Sequence, residues 1–184
     1  MRVIAGRAKG RRLDSPTWDG LRPTSDRLRE SLFNILAPRI EGARVLDGYA
    51  GTGAVGIEAL SRGAAHVTFI EKDDRALKLI RANLERAGMK PGENACTIIR
   101  AGFLEGAGAW RNEPFDLVII DPPYDDPALP EALGAAGGVL SDDGLVVLEH
   151  ATRIAPPEPA GGLLRVRTVK AGDSSLSFYE KRNG

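Results

Sequence analysis

The chain has 184 residues, with 25 Lys/Arg against 25 Asp/Glu, 42% hydrophobic and 27% charged. That length suits one compact domain with a sizeable core, and no stretch approaches the roughly 20 apolar residues needed to cross a bilayer. The first residues lack the apolar run of a signal peptide, and a lone cysteine, Cys96, excludes a disulfide framework and a multi-cysteine zinc site, so the expectation is a soluble, cytoplasmic, monomeric protein.

Zero net charge conceals a segregation. Residues 1–40 hold nine basic side chains against four acidic, residues 41–150 ten against eighteen, and residues 151–184 six against three. An acidic body with basic ends suits a polyanion touched by the ends, since phosphate attraction is the usual reason for such clustering. A solvated basic terminus without a partner is the alternative.

In chain order, Arg2–Ile4 and Arg11–Leu13 flank a Gly-containing loop and predict a β-hairpin. Thr24 and Ser25 are good N-cap residues. Leu28, Leu32, Ile35 and Leu36 recur at helical spacing, predicting a helix over 25–37 that stops near Pro38. Apolar runs then alternate with helical stretches. Strands are expected at Arg44–Leu46, Val67–Ile70, Cys96–Ile99, Leu117–Ile120 and Leu145–Leu148, and helices at Val55–Ser61, Arg75–Ala87 and Ala128–Leu133. Unbroken apolar runs such as Leu117–Ile120 suit strands covered on both faces. The alternation predicts a mostly parallel, doubly wound α/β sheet. Residues 155–162, rich in Pro and Gly, read as a linker. Leu163–Val169 and Leu176–Glu180 read as a closing antiparallel hairpin around Gly172-Asp173.

Between the first strand and its helix, Gly51, Gly53 and Gly56 fit G-x-G-x-x-G, and Glu71 follows Gly51 by 20 residues. Glycines let a ligand approach the backbone, and an acid ending the second strand can accept hydrogen bonds from ribose. Asp47, four residues before Gly51, separates the candidate ligands. A carboxylate there would repel a pyrophosphate but suits an ammonium group, which favours S-adenosylmethionine.

Asp121-Pro122-Pro123-Tyr124 follows the buried strand Leu117–Ile120. In open α/β sheets ligands sit beyond the carboxyl ends of the strands, so this loop should face the glycine loop. Asp121 and the Pro122 carbonyl can accept the hydrogens of an exocyclic amine, orienting its lone pair and stabilising charge developing on nitrogen. The prolines stiffen the loop, and Tyr124 offers a face on which a base could stack, worth roughly 1–3 kcal/mol. Methyl transfer to nitrogen needs no metal or covalent nucleophile, and positioning carries most of it.

With both loops placed, the chain resembles the bacterial RsmD-type family, which methylates N2 of one guanine in small-subunit (16S) ribosomal RNA. The basic start Met1–Arg11, the run Arg22–Asn34, the loop Asp47–Gly56, Asp121–Tyr124 and the tail Gly172–Glu180 carry the resemblance. It implies a Rossmann-like class I S-adenosylmethionine-dependent methyltransferase fold, with residues 1–40 an RNA-binding or lid extension and residues 41–184 the catalytic domain. It implies cofactor contacts at Asp47, Gly48, Gly51, Gly53 and Glu71, and base binding and catalysis at Asp121, Pro122, Pro123 and Tyr124. Arg2, Arg7, Lys9, Arg11 and Arg12 would grip rRNA phosphates. Arg22 and Arg27, with Thr24 and Asp26, would form a lid or a further RNA contact. Related enzymes end the third strand with an Asp for adenine. Here that stretch is Ile99-Arg100-Ala101-Gly102-Phe103, so the backbone of Ala101 and Gly102 and packing from Phe103 or Leu104 would take its place.

Three alternatives remain open at this point. They are an amino-methyltransferase of DNA or another RNA base, a nicotinamide-dependent oxidoreductase, and a non-catalytic RNA-binding assembly factor. The substrate could be naked 16S rRNA or an assembling small subunit. Cys96 reads as a small core residue, and His66 and His150 as unrelated to a metal. Trp18 is expected to pack under the N-terminal segment, with stacking on RNA the other reading. Glu58 either braces the glycine loop or is solvated.

Overall fold

The computed structural model describes residues 1–19, 24–89, 95–110, 113–123, 126–156 and 162–182. In chain order come α1 (Asp26–Ile40), β1 (Arg44–Gly48), α2 (Ala54–Ser61), β2 (His66–Glu71), α3 (Asp74–Arg86) and β3 (Cys96–Arg100). There follow α4 (Phe103–Gly108), β4 (Phe115–Ile120), α5 (Leu129–Gly138), β5 (Leu140–Ala151), β6 (Leu163–Ala171) and β7 (Ser174–Lys181). The strands form one seven-stranded sheet in the order β3-β2-β1-β4-β5-β7-β6. The first five run parallel, and β7 pairs antiparallel with both β5 and β6. This is the expected doubly wound sheet with its closing hairpin. Among the described residues no helix is long and apolar enough to cross a membrane.

The unbroken apolar strands follow from two covered faces. Val45, Leu117, Ile119, Leu145 and Val147 point into a core shared with α1, α2 and α3. Their neighbours Leu46, Val118, Ile120, Val146 and Leu148 point into a second core with α4 and α5. Side chains of a strand alternate sides, so a strand buried on both must be apolar throughout.

Local expectations were modified at several points. The helix predicted to stop near Pro38 continues to Ile40. Proline removes the N–H that would bond the Asn34 carbonyl, but Asn34 is exposed, so water can satisfy it, while buried Leu36 and Ile40 hold the last turn. The N-terminal hairpin is reduced to one antiparallel bridge, Arg2↔Arg12, with Val3 N–H donating to the Arg11 carbonyl at 2.9 Å. Helix α4 was not anticipated; its glycine-rich sequence hides the buried Phe103 and Ala107 that fix it. β5 starts at Leu140 rather than Leu145, its first residues hidden by Gly144 and two acids that interrupt the apolar pattern, and α5 runs on through its glycines to Gly138.

The N-terminal strap is tied down by polar groups rather than by strand pairing. Glu58 on α2 is fully buried, not solvated, and it braces the strap rather than the glycine loop. It accepts from Ile4 N–H at 2.8 Å, Ala5 N–H at 3.0 Å and Arg62 Nε at 2.6 Å. Arg62 in turn lies over the Phe33 ring of α1. Fully buried Asn83 of α3 accepts from Asp14 N–H at 2.7 Å and donates to the carbonyls of Asp14 and Thr52. Cys96 is buried as expected. His150 is buried too, its ring bonding the Ala151 and Ile154 carbonyls and the Ser177 hydroxyl.

Glu58→Ala would leave two strap amides and one guanidinium without their acceptor. We expect a loss of roughly 2–4 kcal/mol, seen as a thermal midpoint lower by several degrees. An unchanged midpoint would mean that the strap is held by packing alone.

Candidate active site

Gly48 of β1 lies opposite Ile120 of β4 in the ladder. The chain therefore leaves the sheet at neighbouring points, with Tyr49 beginning one loop and Asp121 the other. This is where the strand order reverses direction, the position at which open α/β sheets hold ligands. A cavity of about 750 Å³ opens there, within the ~300–1,000 Å³ usual for ligand sites. Asp47, Gly51 and Glu71 line it from one side, and Asp121, Pro122 and Pro123 from the other. The far wall comes from Trp18, Thr24 and Leu28 before and within α1, and from Asp173 of the β6–β7 turn and Ser174 at the start of β7.

The glycines have distinct tasks. Gly51 and Gly53 adopt left-handed backbone (φ 54° and 74°), which permits the turn into α2. Gly56 allows close packing: a Cβ there would sit 2.3 Å from the Phe69 ring. Gly48 is buried, and a Cβ on it would strike Phe103 at 2.5 Å; its part is to admit that ring.

Asp47 is 3% exposed, and its Oδ2 accepts from Gly56 N–H at 2.8 Å. Burial pushes its carboxyl up to about 8, against the Gly56 hydrogen bond and with help from the Glu71 charge. Glu71 Oε2 accepts from Gly51 N–H at 2.9 Å, while Oε1 accepts from the N–H groups of Lys72 and Asp73. A carboxylate oxygen takes about two hydrogen bonds, so Oε2 keeps a place for a ligand hydroxyl. Ala54 N–H is also taken, by Thr52 Oγ1 at 3.4 Å. The start of α2 therefore offers little to a pyrophosphate, since a carboxylate already stands there.

Across the cleft, burial drives the Asp121 carboxyl well above the usual range; Glu149 and Asp47 add to the shift and a hydrogen bond from Thr24 opposes it. Glu149, on β5 and 8% exposed, is likewise raised by burial and opposed by hydrogen bonds from Ser174 and Thr24. Three carboxyl groups thus face one cavity, a setting suited to a cationic ligand. Among the described residues no cluster has the spacing to hold a metal ion.

Several contributors were not legible. Glu149 sits in an apolar strand with no motif around it. Tyr49, at φ 60°, stacks on Phe103 with centroids 5.4 Å apart. Burial first, then the Asp126 carboxylate beside it, pushes its hydroxyl up to about 12. A bulky residue inside a glycine loop was the available signal. Trp18 reaches the cavity wall, under the Arg75 guanidinium at 5.1 Å, which Asp73 holds at 2.7 Å.

The remaining expectations divide. Ala101 and Gly102 lie beyond β3 and do not line the cavity; Phe103 serves as the partner of Tyr49, and Leu104 is 40% exposed. Tyr124 and Arg22 lie outside the described residues. Arg2, Arg7, Lys9, Arg11, Arg12 and Arg27 are all exposed. Among the described residues none of the six makes a salt bridge, and Arg11 donates to the Arg86 carbonyl at 3.3 Å. Arg7 N–H bonds Ser61, the last residue of α2, whereas Met1 lies beside Thr52 in the glycine loop. The basic tip therefore stands about one eight-residue helix, roughly 12 Å, from the cavity.

Asp47 also sets a stability trend. Its native carboxyl titrates at about 8 rather than at 3.8, so between those values the folded state holds a proton that the unfolded chain releases. Its contribution is complete below 3.8 and fades as pH rises through 8. Thermal melts should show Asp47→Asn gaining on the parent protein as pH is raised from 5 to about 8.5. A difference independent of pH would place the ionised carboxylate in a solvated setting.

The family model described as Conserved hypothetical protein 95 matches residues 1–180. The Ribosomal RNA small subunit methyltransferase D of Escherichia coli K12 is 38% identical over 185 residues, covering 98% of this chain and 90% of its own. Among solved structures, the Escherichia coli protein yhhF superposes with a TM-score of 0.83 at 35% identity, covering 98% of this chain and 97% of its own. The Thermus thermophilus protein TTHA0928 gives 0.80 at 32% identity, covering 98% and 99%. The chain has the Rossmann-like class I methyltransferase fold and belongs to the Conserved hypothetical protein 95 family, the family of the small-subunit rRNA methyltransferases D.

Proposed function

We propose that the protein methylates the exocyclic N2 of a guanine in small-subunit (16S) ribosomal RNA, with S-adenosylmethionine as donor. One observation carries the reading. The glycine loop and Asp121 line the same cavity from adjacent strand tips, so a donor on one and an amine on the other would meet. The relative named for small-subunit rRNA supports the substrate class. The choice of N2 rests on the Asp121-Pro122-Pro123 loop and the resemblance described above.

The residues present fit the donor. Asp47 would hold its ammonium group, Glu71 Oε2 its ribose, and the acidic lining its net positive charge. When bound, the donor supplies a methyl group on a sulfonium. The chain's own part is positional. Asp121 accepts an N–H of the target amine, orients the nitrogen lone pair toward the methyl carbon and stabilises the positive charge that develops on nitrogen. The base would reach the cavity flipped from its own strand. Tyr124 is the residue we assign to stack on it. The nicotinamide alternative is disfavoured because the buried Asp47 carboxyl, held by Gly56 N–H, stands at the start of α2, where it would repel a pyrophosphate.

Residues 1–40 fit an RNA-binding extension that also closes the cavity. Leu28 and Thr24 form part of its wall, and the exposed cations of the strap lie outside it. At this spacing the tip would touch phosphates at a distance from the flipped base.

Asp121→Ala should lower methyl transfer roughly 10²–10³-fold, in line with removal of one stabilising group, while calorimetry shows donor affinity retained and preferred over NAD. Unchanged turnover would remove Asp121 from catalysis. Replacing Arg7, Lys9 and Arg12 with Gln should flatten the salt dependence of RNA affinity, the slope falling by about 0.7–0.9 for each phosphate no longer neutralised. An unaltered slope would make the strap a bystander.

A further inference from the structure

The Thr24 hydroxyl stands between two acids. Asp121 and Glu149 directly follow the paired residues Ile120 and Leu148 of β4 and β5, Thr24 lines the cavity with them, and a hydrogen bond from Thr24 opposes the rise of each carboxyl. A hydroxyl carries a single proton and two acceptor lone pairs. It can donate to one carboxylate only, and a good bond to the other requires that carboxyl to be protonated and to donate in return. The arrangement is therefore a chain along which one proton can shift. All three residues line the cavity, as does Ser174 at the start of β7, whose hydrogen bond also opposes the rise of Glu149.

We infer that Thr24 and Glu149 form a proton relay behind Asp121, carrying away the proton that the target amine loses on methylation. The inference rests on the function proposed above. Methyl transfer forms the N–C bond from the nitrogen lone pair, and the C–S bond breaks with its electron pair going to sulfur. The nitrogen is left with one proton too many. That proton passes to the Asp121 carboxylate and on to the Thr24 oxygen, as Thr24's own proton moves to the Glu149 carboxylate. Asp121 ends ionised, Thr24 unchanged, and Glu149 protonated until water removes the proton through the cavity.

The surroundings suit this traffic. From β1 the pair faces Asp47; Glu71, Lys72, Asp73 and Arg75 line the same cavity from β2 and the start of α3, Asp19 lies beside Trp18, and Asp173 closes the hairpin turn. Asp126 is engaged with Tyr49, and His150 is bonded to backbone carbonyls and Ser177. No cation among the described residues makes a salt bridge with Asp121 or Glu149. Burial raises both groups, and the Glu149 and Asp47 charges raise Asp121 further, so each takes a proton more readily than a surface carboxylate.

The test compares the parent protein with Thr24→Val, Thr24→Ser and Glu149→Gln. Carbon NMR of Asp- and Glu-labelled protein, free of donor and RNA, should show the Asp121 and Glu149 carboxyls sharing a two-step titration in the parent and in Thr24→Ser. In Glu149→Gln the Asp121 resonance should titrate in one step at lower pH, and in Thr24→Val the shared steps should separate. Single-turnover methylation of 16S rRNA should fall roughly ten- to a hundredfold in Thr24→Val and Glu149→Gln, with KM little changed, and recover in Thr24→Ser. Identical Asp121 titration in all four proteins, or full single-turnover rates in Thr24→Val and Glu149→Gln, would overturn the relay. Shared titration in a parent protein that methylates no guanine N2 would sink the proposed substrate instead and leave the coupled pair standing.

Discussion

The site depends on burying negative charge where two strands end. Because Gly48 and Ile120 pair across the ladder, Asp47 and Asp121 are brought to one crevice, and β5 adds Glu149 beside them. Carboxylates out of water, without cations paired to them, favour their protonated forms. Such an arrangement disfavours the empty ionised site and leaves a positively charged ligand as the natural way to stabilise it. Fold and chemistry meet at this point: the sheet supplies proximity, and burial supplies the preference for a cation.

The surrounding structure holds these groups in place. Gly56 N–H fixes Asp47, and three backbone amides fix Glu71, so both acids are oriented before any ligand arrives. Tyr49 links the glycine loop to α4 through its stacking on Phe103, with Asp126 beside its hydroxyl. Asn83 joins the same loop, through the Thr52 carbonyl, to the N-terminal strap. The strap is fastened again by Glu58 on α2. Polar groups buried in this way rigidify a structure when they are satisfied. The extension thus shares its anchors with the glycine loop, which couples the surface assigned to RNA with the wall of the donor site.

Much of this was readable from the chain. Periodicity and apolar runs located all the parallel strands, and the strand–loop–helix context turned a weak glycine pattern into a specific site. Asp47 and Asp121 could be singled out because their chemistry makes sense only beside a ligand. The misses have physical reasons. Helix α4 is fixed by tertiary burial of Phe103 in a sequence of low helix propensity, and α1 passes through Pro38 because packing outweighs one lost hydrogen bond. Glu149 and Thr24 come together only through the order of strands and the return of α1 over the sheet, a contact 125 residues apart in sequence that no local pattern records. Glu58 could be read only as a brace for the glycine loop or as a solvated position, because its partners, the amides of Ile4 and Ala5, are backbone groups without a sequence signature.

The central assertion is that one cavity holds a cationic methyl donor against the glycine loop with its reactive end toward Asp121. A crystal structure with S-adenosylhomocysteine, the demethylated donor, tests it most directly. The account predicts the ligand's amino group on Asp47, its ribose hydroxyls on Glu71 and its sulfur turned to the Asp121 loop. A ligand seated away from the cavity between β1 and β4, or with its sulfur facing away from Asp121, would contradict it.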